Sequence, residues 1–359
     1  MFDHTLLTYT QVIYGLPVSP SVMKRLAEVS AILGEGSISV LLDNPAALEH
    51  LHNAFRGSNQ MIGAYIKTDA GYGRAGIEPN SSQFTDLLSA FETYQARDVH
   101  AVRLEGFYCH MGSSYSSRSE SDALDWLIQE IEGCERAGEI ARERFSTGRL
   151  TIAVGATPTA MAAHNLLSGE TSTPSLKRAK DSISRVKQNF EIEIHAGAYC
   201  VLDMQQMATK SRGHPNYEDI ALTLVAEVAS VYPHRKVPEV LIACGVLCLG
   251  RESCPNYSGM GVVTPWDCKD SQKKWPFYDP EGSRTGWIVN RVAQEHGLLR
   301  WEGDSKEMRE LAIGDRVRLW PNHCCIAAAG FSYLLVVDSS KKGEDVDRIV
   351  DVWVRCRGW

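Results

Sequence analysis

From residue 11 to about residue 200 the chain alternates short β-rich runs with amphipathic stretches of helical period, and this alternation constrains the fold more than any other feature. The β-rich runs are QVIYG (11–15), SISVLLD (37–43), MIGAYIKTD (61–69), EGFYCHMG (105–112), LTIAVGAT (150–157) and FEIEIHAGAY (190–199). Helix starts are marked at Ser19-Pro20, Asn44-Pro45 and Thr157-Pro158, where a capping side chain precedes a proline suited to the first helical position. Residues 122–145 carry Leu124, Leu127, Ile128 and Ile131 at helical spacing among charges. Such alternation predicts parallel strands joined by crossover helices. Polar groups gather just after the runs (Asp69, His110, Thr157, Gly197), where an α/β barrel keeps its active site. Six strands are legible and a barrel needs eight, so either the sheet is open or the opening strands lie elsewhere.

After about residue 220 the helical period fades. EVLIACGVLCLG, GWIVNRVA, DRVRLW, YLLVVD and IVDVWVRC read as strands, which predicts a smaller, mainly β domain. The expected division is therefore 1–220 for a partial α/β barrel and 221–359 for the β domain. Residues 264–286, rich in Pro, Gly and charge, read as a surface loop or lid. Residues 165–189 read as a helix end, a polar loop and a charged helix.

Composition narrows the function classes. A length of 359 residues favours two domains. A net charge of −7 argues against a nucleic-acid partner. No run of about 18 apolar residues is present to span a membrane. The opening MFDHTLLTYT has neither the basic segment nor the apolar core of a signal peptide. Several of the ten cysteines (Cys109, Cys200, Cys244, Cys248) fall within apolar runs and read, with Cys254, as reduced core residues, which points to the cytoplasm.

Four constellations bear chemistry. YIKTDAGYGRAGI (65–77) sets three glycines at a strand end; it matches no nucleotide-binding pattern, and a structural turn explains it as well, although Lys67 and Arg74 bring positive charge there. GFYCHMGSSY (106–115) offers Tyr108 and His110 on one side of a strand, followed by Ser113, Ser114 and Tyr115; the alternative is that the hydroxyls cap the following helix. VGATPTA (154–160) puts Gly155 and Thr157 at a helix amino terminus, an anion site, and HAGAY (195–199) adds Gly197, where backbone can approach a ligand. Finally, LWPNHCCIAAAG (319–330) sets His323 and Cys325 on one face of an extended segment, as two metal ligands with further positions open, or as a buried thiol pair beside a hydrogen-bonded histidine.

Taken in order, YGLPVSPS, YIKTDAGYGRAG, YCHMGSSY, VGATPTA, EIHAGAY, AQEHG and PNHCC resemble the D-serine dehydratase family, in the alanine-racemase-like class of pyridoxal-phosphate enzymes. The resemblance implies an incomplete (β/α)8 TIM-type barrel followed by a smaller mainly β domain. It implies zinc on His323 and Cys325, where the related D-threonine aldolases typically carry H-x-D. Tyr108 and Tyr115 should contact pyridoxal 5′-phosphate, with His110 beside them. Thr157 and the backbone of Gly197, Ala198 and Tyr199 should hold its phosphate, and Arg74 should touch the ring oxygen or the substrate carboxylate. Position 198 more often carries a larger polar residue in the family, so Ala198 supports a backbone contact only.

The implied reaction is elimination of water from D-serine, giving pyruvate and ammonia. The family's Schiff-base lysine belongs to a stretch ahead of anything in this chain; Lys67 matches an additional family lysine. No catalytic residue is therefore assigned, and an N-terminally truncated chain with little activity and exposed sheet edges is expected. A D-threonine aldolase-like retro-aldol lyase and a catalytically silent pyridoxal-phosphate- and zinc-binding fragment stay open as alternatives. The expected partner is a small D-amino acid, with a homodimer formed by the full-length protein.

Overall fold

The computed structural model describes residues 11–57, 60–97, 101–145, 148–168, 173–213, 216–266, 277–341 and 345–356. The opening MFDHTLLTYT, the polar loop at 169–172 and the centre of the expected lid, 267–276, lie outside the described residues. The chain divides into two compact units, Met1–Ala196 and Gly197–Trp359. The expected division at 220/221 falls later, because the segment after the last parallel strand packs with the second unit: the Gln205 amide donates to the Asn322 carbonyl at 3.1 Å.

The first unit runs β1 (Val12–Pro17), α1 (Pro20–Leu33), β2 (Ile38–Leu42), α2 (Pro45–Phe55), β3 (Ile62–Lys67), α3 (Ser82–Arg97), β4 (Val102–Cys109), α4 (Glu120–Arg144), β5 (Thr151–Val154), α5 (Thr157–Ser168), α6 (Pro174–Val186) and β6 (Glu191–Ile194). Among the described residues the strands form one parallel six-stranded sheet in sequential order, each neighbour reached through a helical crossover. This is the partial α/β barrel, with β1 and β6 at its edges. Phe55, Phe84, Phe91, Phe107 and Phe190 anchor the core between sheet and helices. On the other face of the sheet a smaller group, Leu41, Tyr65 and Ala153, packs with Ile13 and Tyr108.

Local chemistry explains the helix starts. Asn44 caps α2 by accepting the Ala46 amide at 2.8 Å, with Pro45 following, and Ser119 caps α4 through the Asp122 amide at 3.1 Å. Ser19 occupies the cap position of α1 without a capping hydrogen bond, and α5 begins at Thr157 itself. The strand read at 105–112 is shifted, because β4 starts at Val102 and ends at Cys109, where His110 and Met111 turn to other partners.

The second unit contains α7 (Met204–Thr209), β7 (Leu224–Tyr232), β8 (Glu239–Ile242), α8 (Val246–Leu249), β9 (Gly261–Val263), β10 (Gly286–Val292), β11 (Gly297–Glu302), β12 (Arg316–Pro321), α9 (Cys324–Ala329), β13 (Tyr333–Val337) and β14 (Ile349–Val354). Its centre is a closed antiparallel barrel in the order β10-β11-β8-β7-β12-β9, filled by Val228, Ile242, Val289, Leu299 and Leu319. β13 and β14 pair as a separate hairpin.

The EVLIACGVLCLG run is a strand only over Glu239–Ile242. Gly245 then turns the chain into the short helix α8, which leaves Cys248 half-buried rather than in a strand. Cys200 is exposed on a 3-10 turn, not in the core, whereas Cys109, Cys244 and Cys254 are buried as expected. Among the described residues no helix is long and apolar enough to cross a membrane.

Candidate active site

The carboxyl ends of β3 to β6 bring together most of the side chains that the sequence singles out in the first unit. Lys67, the last residue of β3, is buried, and its Nζ lies 4.9 Å from the centre of the Tyr108 ring on β4. His195, just past β6, meets the same ring edge-on at 5.3 Å. Burial and the nearby Arg74 guanidinium hold the Lys67 amine below its usual value. Burial likewise raises the Tyr108 phenol.

His110 donates from Nδ1 to the Gly155 carbonyl at 3.0 Å, which leaves a lone pair on Nε2 when the ring is neutral. Burial favours that neutral form. Arg74 acts electrostatically on Lys67, Tyr108 and His110, so it belongs to the same group. Tyr115 sits half-buried on the turn Gly112–Ser116 that follows β4.

The glycine-rich loop after β3 proves to be a self-contained turn. The Asp69 carboxylate accepts the amides of Gly71, Tyr72 and Gly73 at 2.8, 2.9 and 3.0 Å. Those N–H groups are thus spent on the loop's own acid rather than turned toward an anion. The loop's contribution to the site is the placement of Arg74, whose guanidinium lies 5.2 Å from the centre of the Tyr72 ring.

The turn between β5 and α5 depends on Gly155, whose φ is +139°. A Cβ there would stand 2.2 Å from the His195 carbonyl oxygen, so glycine is what lets the ends of β5 and β6 come this close. Thr157 follows, buried, at the amino terminus of α5. In the second unit Gly197 precedes the 3-10 turn Ala198–Cys200, with Ala198 buried and Tyr199 half-buried.

The second unit carries the imidazole–thiol pair. β12 ends at Pro321, His323 is still extended, and Cys324 opens α9, so Cys325 lies on a first helical turn rather than on an extended segment. The pair converges nonetheless, since the Cys325 thiol and the His323 ring are hydrogen-bonded. Hydrogen bonds from the Cys324 thiol and then from His323 hold the Cys325 thiol well below its ordinary value, toward the thiolate that a metal would need.

Residues with no sequence signal fix this geometry. Gln205 donates its amide Nε2 to the Ser253 carbonyl at 2.7 Å, so its Oε1 is the atom that faces His323 Nδ1, also at 2.7 Å. An amide oxygen only accepts, so Nδ1 carries a proton, and Nε2 becomes available to a metal once the imidazolium that hydrogen-bonds the Cys325 thiolate has lost its other proton. The buried Asp203 carboxylate caps α7 through the Gln206 amide at 2.8 Å and receives the Cys324 amide at 2.9 Å, tying α7 to α9. Asn322 spends both amide protons on the carbonyls of Glu252 and Gly259, at 2.7 and 2.8 Å, and accepts the Tyr257 hydroxyl. Among the described residues no cluster of three or more His, Cys, Asp or Glu side chains is arranged to hold a metal. His323 and Cys325 thus form a two-residue donor set whose nitrogen and sulfur suit zinc.

Residues 221–337 match the family model described as Putative serine dehydratase domain. Over 352 residues the chain is 32% identical to the D-serine dehydratase of Schizosaccharomyces pombe, covering 97% of this chain and 73% of that protein. Over 351 residues it is 31% identical to the D-serine dehydratase of Saccharomyces cerevisiae, covering 96% and 74%. The solved structure of D-threo-3-hydroxyaspartate dehydratase from Delftia sp. HT23 shares the fold, with a TM-score of 0.70 at 22% identity over 97% of this chain and 79% of that one. That enzyme has also been solved with a histidine replaced by alanine and, in metal-free form, with the cysteine two positions later replaced by alanine. With this identity sustained along nearly its whole length, the chain belongs to the D-serine dehydratase family.

Proposed function

We propose that this chain forms the coenzyme- and metal-holding body of a pyridoxal 5′-phosphate- and zinc-dependent lyase that eliminates water from D-serine to give pyruvate and ammonia. The observation that carries this reading is the His323–Cys325 pair, a thiol pushed toward thiolate beside an imidazole whose tautomer is set by Gln205. Zinc bound there would act as a Lewis acid on the 3-hydroxyl, a poor leaving group at neutral pH.

Pyridoxal phosphate, when bound, supplies the electron sink for charge developing at Cα. The chain's own residues bind and orient. Thr157 and the first turn of α5 suit its phosphate. Tyr108, in contact with Lys67 and His195, offers an aromatic surface, with Tyr115 on the following turn. Arg74 supplies positive charge for a carboxylate or the ring oxygen, and neutral His110 accepts a proton at Nε2.

Among the described residues no cysteine pair forms a disulfide, which supports a reducing, cytoplasmic setting. The β13–β14 hairpin exposes Leu335, Val352, Trp353 and Val354, apolar surface that supports a homodimer and that light scattering on the purified protein would test.

Incubating the chain, joined to the family's lysine-bearing stretch, with coenzyme, zinc and D-serine, and coupling pyruvate to NADH oxidation, tests the function. Pyruvate with equimolar ammonia is the expected result. Glycine and acetaldehyde from D-threonine would favour the retro-aldol reading. Coenzyme and metal uptake without turnover of either amino acid would favour a binding protein. D-threo-3-hydroxyaspartate belongs in the same assay, because the chain is 24% identical over 360 residues to a Delftia dehydratase named for that substrate.

A further inference from the structure

Glu130 on α4 is fully buried, and nothing in the proposed reaction uses it. Its Oε1 accepts the Met111 amide at 2.6 Å, just beyond β4, and its Oε2 lies 3.0 Å from Thr159 Oγ1 in the first turn of α5. One carboxyl group therefore joins the loop that follows Tyr108 and His110 to the turn that holds Thr157. Thr159 Oγ1 also accepts the Ala156 amide at 2.9 Å and lies 3.0 Å from the Ala156 carbonyl.

A hydroxyl has one proton to give. If Glu130 is ionised, that proton goes to the carboxylate, and the contact between Thr159 and the Ala156 carbonyl is two acceptors facing each other. If Glu130 carries a proton on Oε2, it donates to Thr159, which donates to Ala156. Every short contact is then a hydrogen bond. Burial pushes the carboxyl up to about 8, in the same direction. The titratable groups facing it are Tyr108 of β4 and Cys134 of its own helix, both raised by burial; Thr159 of α5 and the Met111 amide complete its surroundings. None of these is a cation that would hold a carboxylate ionised. An ionised Glu130 so near the start of α5 would also repel a phosphate there.

We propose that Glu130 is a positioning residue which, as the neutral acid, holds the 156–159 turn in the shape that receives a phosphate monoester; this rests on the coenzyme reading above. The neutral acid supplies the turn with a donor at Oε2 and keeps negative charge away from the phosphate.

The test measures binding of pyridoxine 5′-phosphate and of pyridoxine, which lack the aldehyde and form no imine, to the full chain by calorimetry between about pH 7 and pH 9. For the unaltered protein, affinity for the phosphate ester should fall about 10-fold across that range, while pyridoxine affinity stays flat. Glu130→Gln, which keeps shape, neutrality and a donor, should bind the ester within about 2-fold of the unaltered protein near pH 7 and lose the pH-dependence. Glu130→Ala should weaken the ester about 10-fold and spare pyridoxine. If Glu130→Ala does not fold, the comparison of Glu130→Gln with the unaltered protein decides alone. An identical pH-dependence in Glu130→Gln, or normal ester affinity in folded Glu130→Ala, overturns the proposal. An unaltered protein that binds neither ligand overturns the coenzyme reading itself.

Discussion

His323 Nδ1 donates to Gln205 Oε1 across 2.7 Å, although 118 positions separate the two residues in the chain. Partners of this kind fix the tautomer and orientation of a metal-binding imidazole. Gln205→Leu should therefore lower zinc affinity about 10- to 100-fold with the fold intact, as read by competition with a chromogenic chelator. Zinc affinity unchanged in that variant would remove Gln205 from the site.

Removing a donor atom is a harsher change. In the chain joined to the family's lysine-bearing stretch, His323→Ala or Cys325→Ala should abolish zinc binding and D-serine elimination while leaving the coenzyme bound, since the residues proposed for the coenzyme are other than this pair. Chelator treatment of the unaltered protein should reproduce the loss, and added zinc should restore it. Normal turnover in either variant in the presence of chelator would sink the metal's role.

Thr157 bears on the coenzyme instead. Thr157→Ala should weaken pyridoxal-phosphate affinity by about 1–2 kcal/mol, the scale of one charge-assisted hydrogen bond, with little effect on zinc. Equilibrium dialysis with both ligands reads this directly. Equal affinity in the two proteins would place the phosphate elsewhere.

Gly155 has no room for a side chain. Its φ of +139° disfavours any other residue, and an added Cβ would meet backbone, the His195 carbonyl oxygen at 2.2 Å, which cannot swing aside. Gly155→Ala should cost about 2 kcal/mol or more in urea unfolding and should disturb the His195–Tyr108 contact. Wild-type stability would show that β5 and β6 can separate freely at this point.

Glu130 gives a pH-dependence of stability with a definite sign. Its carboxyl ionises near 4.5 when exposed and near 8 in the fold, so folding takes up a proton between those values. Stability from this group accordingly falls as pH rises from about 4.5 to about 8, at about 1.4 kcal/mol per unit, and is level outside that window. Glu130→Gln lacks this slope, so unfolding midpoints at about pH 5, 6.5 and 8 should move steadily in favour of the variant. Parallel curves for the two proteins would mean that Glu130 is ionised in the fold.

The sequence alone determined the six parallel strands and their crossover helices, because period and capping are local properties: Asn44-Pro45 marks α2, and the apolar spacing in 122–145 marks α4. It also revealed the His323–Cys325 pair, since metal-ligand spacing is short-range. The β-rich runs named after residue 220 leave out β7, β9 and β11, which are recognised from their pairing: β7 pairs with β8 and β12, β9 with β10 and β12, and β11 with β8 and β10.

Only the tertiary structure decided the rest. Asp69 consumed the amides of a glycine-rich loop whose sequence matched no nucleotide-binding pattern. Gln205 oriented an imidazole, Asp203 tied α7 to α9, and Glu130 bridged two loops. Each is a polar side chain whose partner lies far away in sequence, or whose value comes from being removed from water. Neither condition leaves a mark on local periodicity, because burial and long-range pairing are set by how the elements pack.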